Sequence, residues 1–457
     1  MSEKNEPSVL VCRTDVDSTA TSPTWSPIST LRASSTDTIN VVAEAAEAAH
    51  DEKSLASPPA VPDGGLQAWL QVLGSWVILV ETSGLVSTFG VCETYYKTVM
   101  LPNDASSAIS WIGSVQGSLP FFVGVLAGPL FDAGYFRELL ASGLFLVVFG
   151  QFMTSLCQSY WEVMLAQGVC IGVGMGLIFV PSMAIIPQYF ERRRALAIGI
   201  AASGPPTAGI VFPVMFSHLQ AAIGFGWATR AIGFILLGLA VIPLAVMRTR
   251  KAASGKAKLA LFDAGTWTDV PFLLFIFGNS LVFLVLYVPY FYIQLFSIRH
   301  QIWPESESEY LVTILNAGSL FGRILAGALA VYVGSMNIML TSTVLSAIIA
   351  LCWLGMTSLG SIIAFALLYG AFSGAAVAMV PAGVVCLSPD MSKVGARMGT
   401  TFLFAGVSLL VGPPVAGYIL RNGGDAEWLG MIGCIAGCLV LAVLLFGLSR
   451  LMTAKKH

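Results

Sequence analysis

Asn316-Ala-Gly-Ser-Leu-Phe-Gly-Arg-Ile-Leu-Ala-Gly-Ala-Leu-Ala330 places an arginine, Arg323, near the middle of an apolar run. An arginine at bilayer depth costs about 2.5–3.5 kcal/mol on insertion scales. A chain tolerates that cost where the guanidinium meets water or a partner rather than lipid. At helical spacing Asn316, Ser319, Arg323 and Gly327 share one face, flanked by Ala326 and Ala330. Leu320, Phe321, Ile324, Leu325 and Leu329 cover much of the rest. A helix with one small, polar side and one greasy side is expected to line an aqueous path through a membrane.

The whole chain is built of the same material. Of its 457 residues, 56% are hydrophobic and 11% charged, and mean hydropathy is +0.81. A soluble domain carries about 25% charged residues, so the deficit points to a helical membrane protein. The net charge of −2 gives no support to nucleic-acid binding. Glycine, at 46 residues, suits helices that pack closely through small side chains. Of eight cysteines, only Cys12 lies far from an apolar run. Cys434 and Cys438 share a helix face, but no histidine or carboxylate completes a metal set. The four histidines are scattered, and no phosphate-binding loop is present. No metal, cofactor, ATP drive or enzyme chemistry is expected.

Residues 1–61 are rich in Ser, Thr, Ala, Pro and acids, as a disordered tail is. Twelve apolar helices follow, at about 66–90, 106–130, 138–158, 161–187, 194–217, 227–247, 268–296, 308–333, 337–357, 361–386, 396–419 and 428–450. The seventh is long and is expected to tilt or kink at Pro289. With the N-terminus inside, fourteen basic residues fall in cytosolic loops and the C-tail, among them Arg192, Arg193, Arg194, Arg248 and Arg250. Four fall outside: Lys97, Arg230, Arg299 and Arg421. The positive-inside rule then sets both termini in the cytosol. The basic segment 248–267 separates two six-helix bundles, 62–247 and 268–450, and 451–457 forms a short tail. The halves echo one another. Gly168, Gly172, Gly176 and Pro181 in the fourth helix match Gly370, Gly374, Ala378 and Pro381 in the tenth. Parallel six-helix repeats are a transporter layout.

The phrases PDGGLQAW (62–69), GPLFDAGYFREL (128–139), GVGMGLIFVPSMAIIPQYFERRRALAIGIAASG (172–204), NAGSLFGRILAG (316–327) and GPPVAG (412–417) carry a family resemblance. From Pro62 to about Arg450 the chain resembles the major facilitator superfamily, and within it the fungal branch of the monocarboxylate-porter family. That implies alternating access by two six-helix halves, with charges in the loop after the second helix working a cytosolic gate. Here Asp132 is present, Ala133 takes the basic position, and Arg137 comes later. In the second copy of that loop Val331 stands where an acid is expected. Proton-coupled lactate carriers of the family use a lysine in the first helix, which GLVSTFGV (84–91) lacks. They also use an acid one turn before the arginine of the eighth, where this chain has Ser319. The resemblance therefore implies another cargo: a larger weak acid or polyketide-like secondary metabolite, moved outward. Uptake of a monocarboxylate or riboflavin-like compound by proton symport is the second reading. A non-transporting membrane sensor is the third.

Candidate residues follow from burial and chemistry. Arg323 is expected to hold a substrate carboxylate or enolate, with Asn316 and Ser319 on the same face; its plainer role is a static salt bridge between helices. Glu81, twelve residues past Trp69, is a candidate proton carrier or the counter-ion of Arg323. Tyr287 and Tyr290, in a stretch with Tyr292, Phe291 and Phe296, offer a stacking face, or simply packing. Asp132 and Arg137 are the candidate gate charges, or solvated loop charges. Gly168, Gly172, Gly176 and Pro181 are expected to pack a moving helix interface. The expected partners are a small-molecule substrate, protons and the bilayer, and a monomer suffices. The cell membrane is the expected location, with the vacuolar membrane as alternative.

Overall fold

Helices account for nearly all of the computed structural model, which describes residues 63–104, 106–250, 264–304, 310–420 and 424–454. The expected tail 1–61, most of the linker 248–267 and the last residues of the C-tail lie outside the described residues. Among those described, the spans are α1 Leu66–Tyr95, α2 Ser106–Asp132, α3 Phe136–Thr154 and α4 Tyr160–Gln188. The stretch Arg194–Val246 runs 53 residues as one nearly unbroken helical stretch, with a short gap at Ala202 and Ser203. At 1.5 Å per residue that is about 80 Å, more than twice the hydrocarbon thickness of a bilayer. Gly224 resolves the excess. Its φ of 76° and ψ of 165° lie outside any helix, so the chain turns there and gives two spans, α5 (194–223) and α6 (225–246). The second half contains α7 Val270–Arg299, α8 Tyr310–Val333, α9 Ser335–Gly355, α10 Leu359–Leu387, α11 Met391–Ile419 and α12 Asp425–Ala454. Twelve spans result, with ends within several residues of those read from hydropathy.

One irregularity was expected and a second accompanies it. α7 breaks at Tyr287, between Val270–Leu286 and Val288–Arg299. Pro289, with no N–H to give, cannot support the carbonyl of Val285. α10 likewise breaks at Met379, two residues before Pro381.

Packing repeats with a period of six helices. In the first half α2 packs on α4, α3 on α4 and α6, and α1 on the α5–α6 hairpin. In the second half α8 packs on α10, α9 on α10 and α12, and α7 on α11 and α12. Every pair of the first set returns in the second six helices later. Across the halves the main contacts are α2 with α11 and α5 with α8. Exchanging the halves converts one of these contacts into the other, which is the mark of an internal two-fold relation. Large apolar side chains such as Phe145, Phe234 and Leu444 are more than half exposed. Water would penalise such a surface, whereas lipid accommodates it.

The glycine ridge of α4 packs on α2. Cβ atoms added at Gly172 and Gly176 would meet Leu119 and Val123 of α2, and one at Gly168 would approach the Ile112 carbonyl. The ridge therefore ties α4 to α2 within one half and takes no part in the seam between halves. Pro181 is buried near the end of α4, and its carbonyl accepts from Ile185 N–H at 3.1 Å. The seam uses other glycines. A Cβ on Gly128 would stand 2.1 Å from the Gly395 carbonyl oxygen, and one on Gly199 would stand 2.7 Å from that of Arg323. Side chains at these positions would force the halves apart.

Candidate functional site

The site is organised by an interruption in α5. Its first segment, Arg194–Ala201, stops at Ala202 and Ser203, and the helix restarts at Gly204. In a continuous helix the carbonyls of Ala201 and Ala202 would accept from residues 205 and 206. Both are proline, and neither has an N–H. Arg323 uses one of these freed acceptors. Its Nη1–H donates to the Ala202 carbonyl at 2.8 Å, and its Nε–H donates to Ser319 Oγ at 3.1 Å. Arg323 is only 9% exposed and Ser319 1%. Among the described residues no carboxylate reaches this guanidinium.

The small, polar face of α8 is thus turned to α5, where an open aqueous path was expected. Asn316 packs at Gly209, Arg323 reaches Ala202, and Gly327 lies on Ala195 and Gly199. The reason is steric. Small residues let two backbones approach, and the polar groups then satisfy one another across the contact. Ser319 also packs on Gly374 of α10, so it ties the arginine's partner to a second helix of its own bundle. Asn316 donates to the Val312 carbonyl at 3.1 Å.

Of the aromatic stretch in α7, two members join Arg323. Tyr287 and Tyr290 lie within electrostatic reach of the guanidinium, and their ring centroids are 5.6 Å apart. Tyr292 instead donates to the Pro413 carbonyl at 3.2 Å. Phe291 is exposed, and Phe296 sits in an aromatic group with Trp353, Trp428 and His300. Glu81 is fully buried on α1, and neither of its oxygens has a hydrogen-bond partner among the described residues. It makes no salt bridge with Arg323 in this state.

The expected gate pair separates. Asp132 ends α2 and accepts from the backbone N–H groups of Gly395 at 3.1 Å and Ala396 at 2.8 Å. Those are orphan donors in the first turn of a helical segment, Val394–Ile419, where a carboxylate is favoured. The contact closes the α2–α11 seam at the end of the molecule that carries the α2–α3 and α4–α5 loops. Arg137 is exposed, and no described residue bonds it.

Sequence reasoning missed two further charges at that end. Asp63, in the PDGG phrase, accepts from Glu191, Arg192 and Arg193 N–H at 2.9, 2.9 and 3.2 Å. It caps the start of α5 as Asp132 caps that of α11. Its φ is +53°, and Gly64 and Gly65 follow at +155° and +90°, so the glycines permit the turn that delivers the carboxylate. Partial desolvation works to raise the Asp63 pKa, but the three backbone donors prevail and hold it below the ordinary carboxylate range. Arg397, read only as a topology signal, is 2% exposed. It pairs with Asp269 at 3.2 Å, donates to the Leu387 carbonyl at 2.9 Å and lies 4.6 Å from the Phe272 ring centroid. An acid immediately before the first helix of each half was the available signal for both.

Known proteins resemble this chain in sequence and in fold. Residues 66–303 match the profile of the Major Facilitator Superfamily. The MFS-type transporter dbaD of Emericella nidulans is 39% identical over 387 residues, covering 83% of this chain and 87% of that protein. The aspyridones efflux protein apdF of the same organism is 37% identical over 384 residues, covering 82% and 76%. Among solved structures, the human organic anion transporter MFSD10 superposes with a TM-score of 0.65 at 15% identity, covering 85% of this chain and all of that one. That likeness concerns the fold.

Proposed function

The chain belongs to the major facilitator superfamily, and from that premise we propose that it exports a weak-acid or polyketide-like secondary metabolite. It is a multi-span membrane transporter of a small organic molecule. Within the superfamily we assign it to the fungal branch of the monocarboxylate porters, on the phrases quoted above.

The observation that carries the reading is Arg323: a buried cation at mid-membrane depth, on the seam between halves, held by neutral acceptors. Its bond to Ala202 ties α8 to α5 of the other half. An anionic cargo can replace that neutral carbonyl, because a carboxylate adds the attraction of opposite charges and can take the guanidinium through two parallel bonds. Replacement frees the α5–α8 contact. Cargo binding and separation of the halves then become one event, as alternating access requires. Tyr287 and Tyr290 offer π-faces to a flat, unsaturated cargo beside the charge. A relative named as an aspyridones efflux protein supports the outward direction.

The rocking units in this reading are 62–247 and 268–450, joined by 248–267. Both termini lie in the cytosol of a cell-membrane protein that works as a monomer. The seam closed by Asp132 then faces the cytosol. Protons moving inward drive the cycle.

Comparative metabolite profiles of cells and medium, with and without the gene, test the direction. Export predicts one compound that builds up inside and disappears from the medium when the gene is lost. A compound left in the medium while the cells starve for it overturns export in favour of uptake. A compound confined to the vacuole moves the protein to that membrane.

A further inference from the structure

Five arginines gather at one corner of the first half, at the end that carries the α4–α5 loop. Arg192, Arg193 and Arg194 lead into α5, and Arg248 and Arg250 follow α6. Hydrogen bonds fasten these two stretches together. Tyr189 Oη–H donates to the Arg248 carbonyl. Arg250 donates from its N–H to Gln188 Oε1 and from Nη1–H to the Gln188 carbonyl, each at 3.2 Å. Gln71 of α1 holds the end of α6, donating to the Val246 carbonyl at 3.0 Å and accepting from Arg248 N–H at 2.9 Å. Asp63 aims its Oδ1 at the backbone N–H groups of residues 191–193. Arg192, Arg193 and Arg248 are exposed, and no described residue bonds their side chains.

Membrane orientation alone does not call for this gathering. The positive-inside rule counts basic residues in loops and is indifferent to whether they adjoin. The corresponding end of the second half gives the comparison. Among the described residues it sets three bases, Lys393, Arg397 and Arg450, against two acids, Asp269 and Asp390, and Arg397 is buried on Asp269. The first corner sets five arginines against two acids, Asp63 and Glu191. A surplus of three positive charges thus stands opposite a surplus of one. The surroundings say what kind of anion fits. Phe234, Leu237, Val241 and Leu244 form one strip of α6 at helical spacing, each between 46% and 60% exposed. That strip faces lipid and ends four residues before Arg248. Trp69 and Phe190, with ring centroids 5.1 Å apart, mark the interface level beside it. An acyl chain lying on the strip brings its headgroup to the corner.

We propose that this corner is a binding site for a phospholipid with a multiply phosphorylated inositol headgroup. Guanidinium groups take phosphate oxygens through paired N–H bonds. Three surplus charges complement several phosphate charges better than the single net charge of phosphatidylserine. A soluble phosphate compound would meet the arginines but leave the α6 strip unused. In the proposed orientation the corner meets the cytosolic leaflet, where clustered basic residues beside a span attract such lipids. A bound headgroup would bridge the start of α5 and the end of α6, and so brace the point where the linker between the halves begins. The site lies apart from Arg323 and needs only that the chain spans a membrane.

The test uses the full chain in phosphatidylcholine bilayer discs, titrated with phosphatidylinositol bisphosphate and read by native mass spectrometry. That lipid should be retained in preference to both phosphatidylcholine and phosphatidylserine. Combining Arg192→Gln, Arg193→Gln and Arg248→Gln should weaken its retention roughly a hundredfold at low salt, whereas Arg299→Gln, exposed at the opposite end, should leave it unchanged. Raising the salt concentration should weaken retention by the parent chain, a readout that needs no variant to fold. Inositol trisphosphate, the headgroup without its acyl chains, should bind at least about tenfold more weakly than the lipid, because burial of apolar surface on the strip is lost. No preference over phosphatidylserine, unchanged retention by the triple variant, an equal loss with Arg299→Gln, or retention indifferent to salt overturns the proposal. Inositol trisphosphate binding as tightly as the lipid overturns it in favour of a free phosphate compound. None of these readouts depends on cargo or direction. If the metabolite profiles fail while lipid retention holds, the export reading falls and the lipid site stands.

Discussion

Replacing Asp132 by alanine should unlock the α2–α11 seam. The carboxylate accepts from Gly395 and Ala396 N–H at 3.1 and 2.8 Å. Hydrogen bonds to a charged group contribute about 1.5–3 kcal/mol each where water is excluded. Asp132 is only partly buried, so solvent screening reduces the pair to a total of about 2 kcal/mol. The favourable interaction with the helix N-terminus is contained in that figure. A loss of about 2 kcal/mol shifts the closed-to-open ratio of the seam by roughly thirtyfold. Spin labels at Tyr135 and Ser392 in the lipid-reconstituted chain would read this as a new, longer distance population. Asp132→Asn keeps one acceptor oxygen and should fall between the two. An Asp132→Ala distribution identical to the parent's would refute the argument that these two bonds hold the seam.

Four other outcomes follow from the same geometry. Pro206→Ala gives the Ala202 carbonyl back its helical donor, which competes with Arg323; α5 should become more regular by hydrogen exchange while cargo transport falls. Gly322→Ala sets a Cβ 2.0 Å from the Ala371 carbonyl within one bundle; it should lower thermal stability by about 1–3 kcal/mol, whereas Gly437→Ala, which meets nothing within 4 Å, should leave the melting temperature unchanged. Gly128→Ala meets the opposite half instead, and should open the seam in the spin-label experiment at nearly parental melting temperature. The Asp63 cap, whose folded pKa is depressed, should be fully present above the ordinary aspartate range and lost as pH falls through the lowered value; Asp63→Asn should show weak protection of the Glu191–Arg193 amides at every pH.

Much of this was legible in the sequence. Apolar run length set the spans, because bilayer thickness fixes helix length. Pro289 announced the break in α7. The glycine and proline spacing shared by the fourth and tenth helices has a counterpart in packing pairs that recur every six helices. Periodicity marks a special face of a helix, however, without naming what that face touches. The α8 face read as water-lining meets α5, and the α4 ridge meets α2. Asp132 finds its partners more than 260 residues away, a distance no local pattern spans. The freed carbonyl that receives Arg323 was available in the Pro205-Pro206 pair, since two adjacent prolines in a helix leave two acceptors four residues upstream. That α8 delivers an arginine to one of them is a matter of tertiary packing alone.

The central claim is that Arg323 couples cargo to motion. Once profiling has identified the exported compound, its movement into proteoliposomes should be measured for the parent chain, Arg323→Ala and Arg323→Lys. The account predicts transport by the parent chain and none by Arg323→Ala, although that variant folds. Arg323→Lys should be strongly reduced, since a single ammonium cannot reproduce the planar guanidinium's bonds to Ser319 and Ala202. Transport by Arg323→Ala at the parental rate would contradict it.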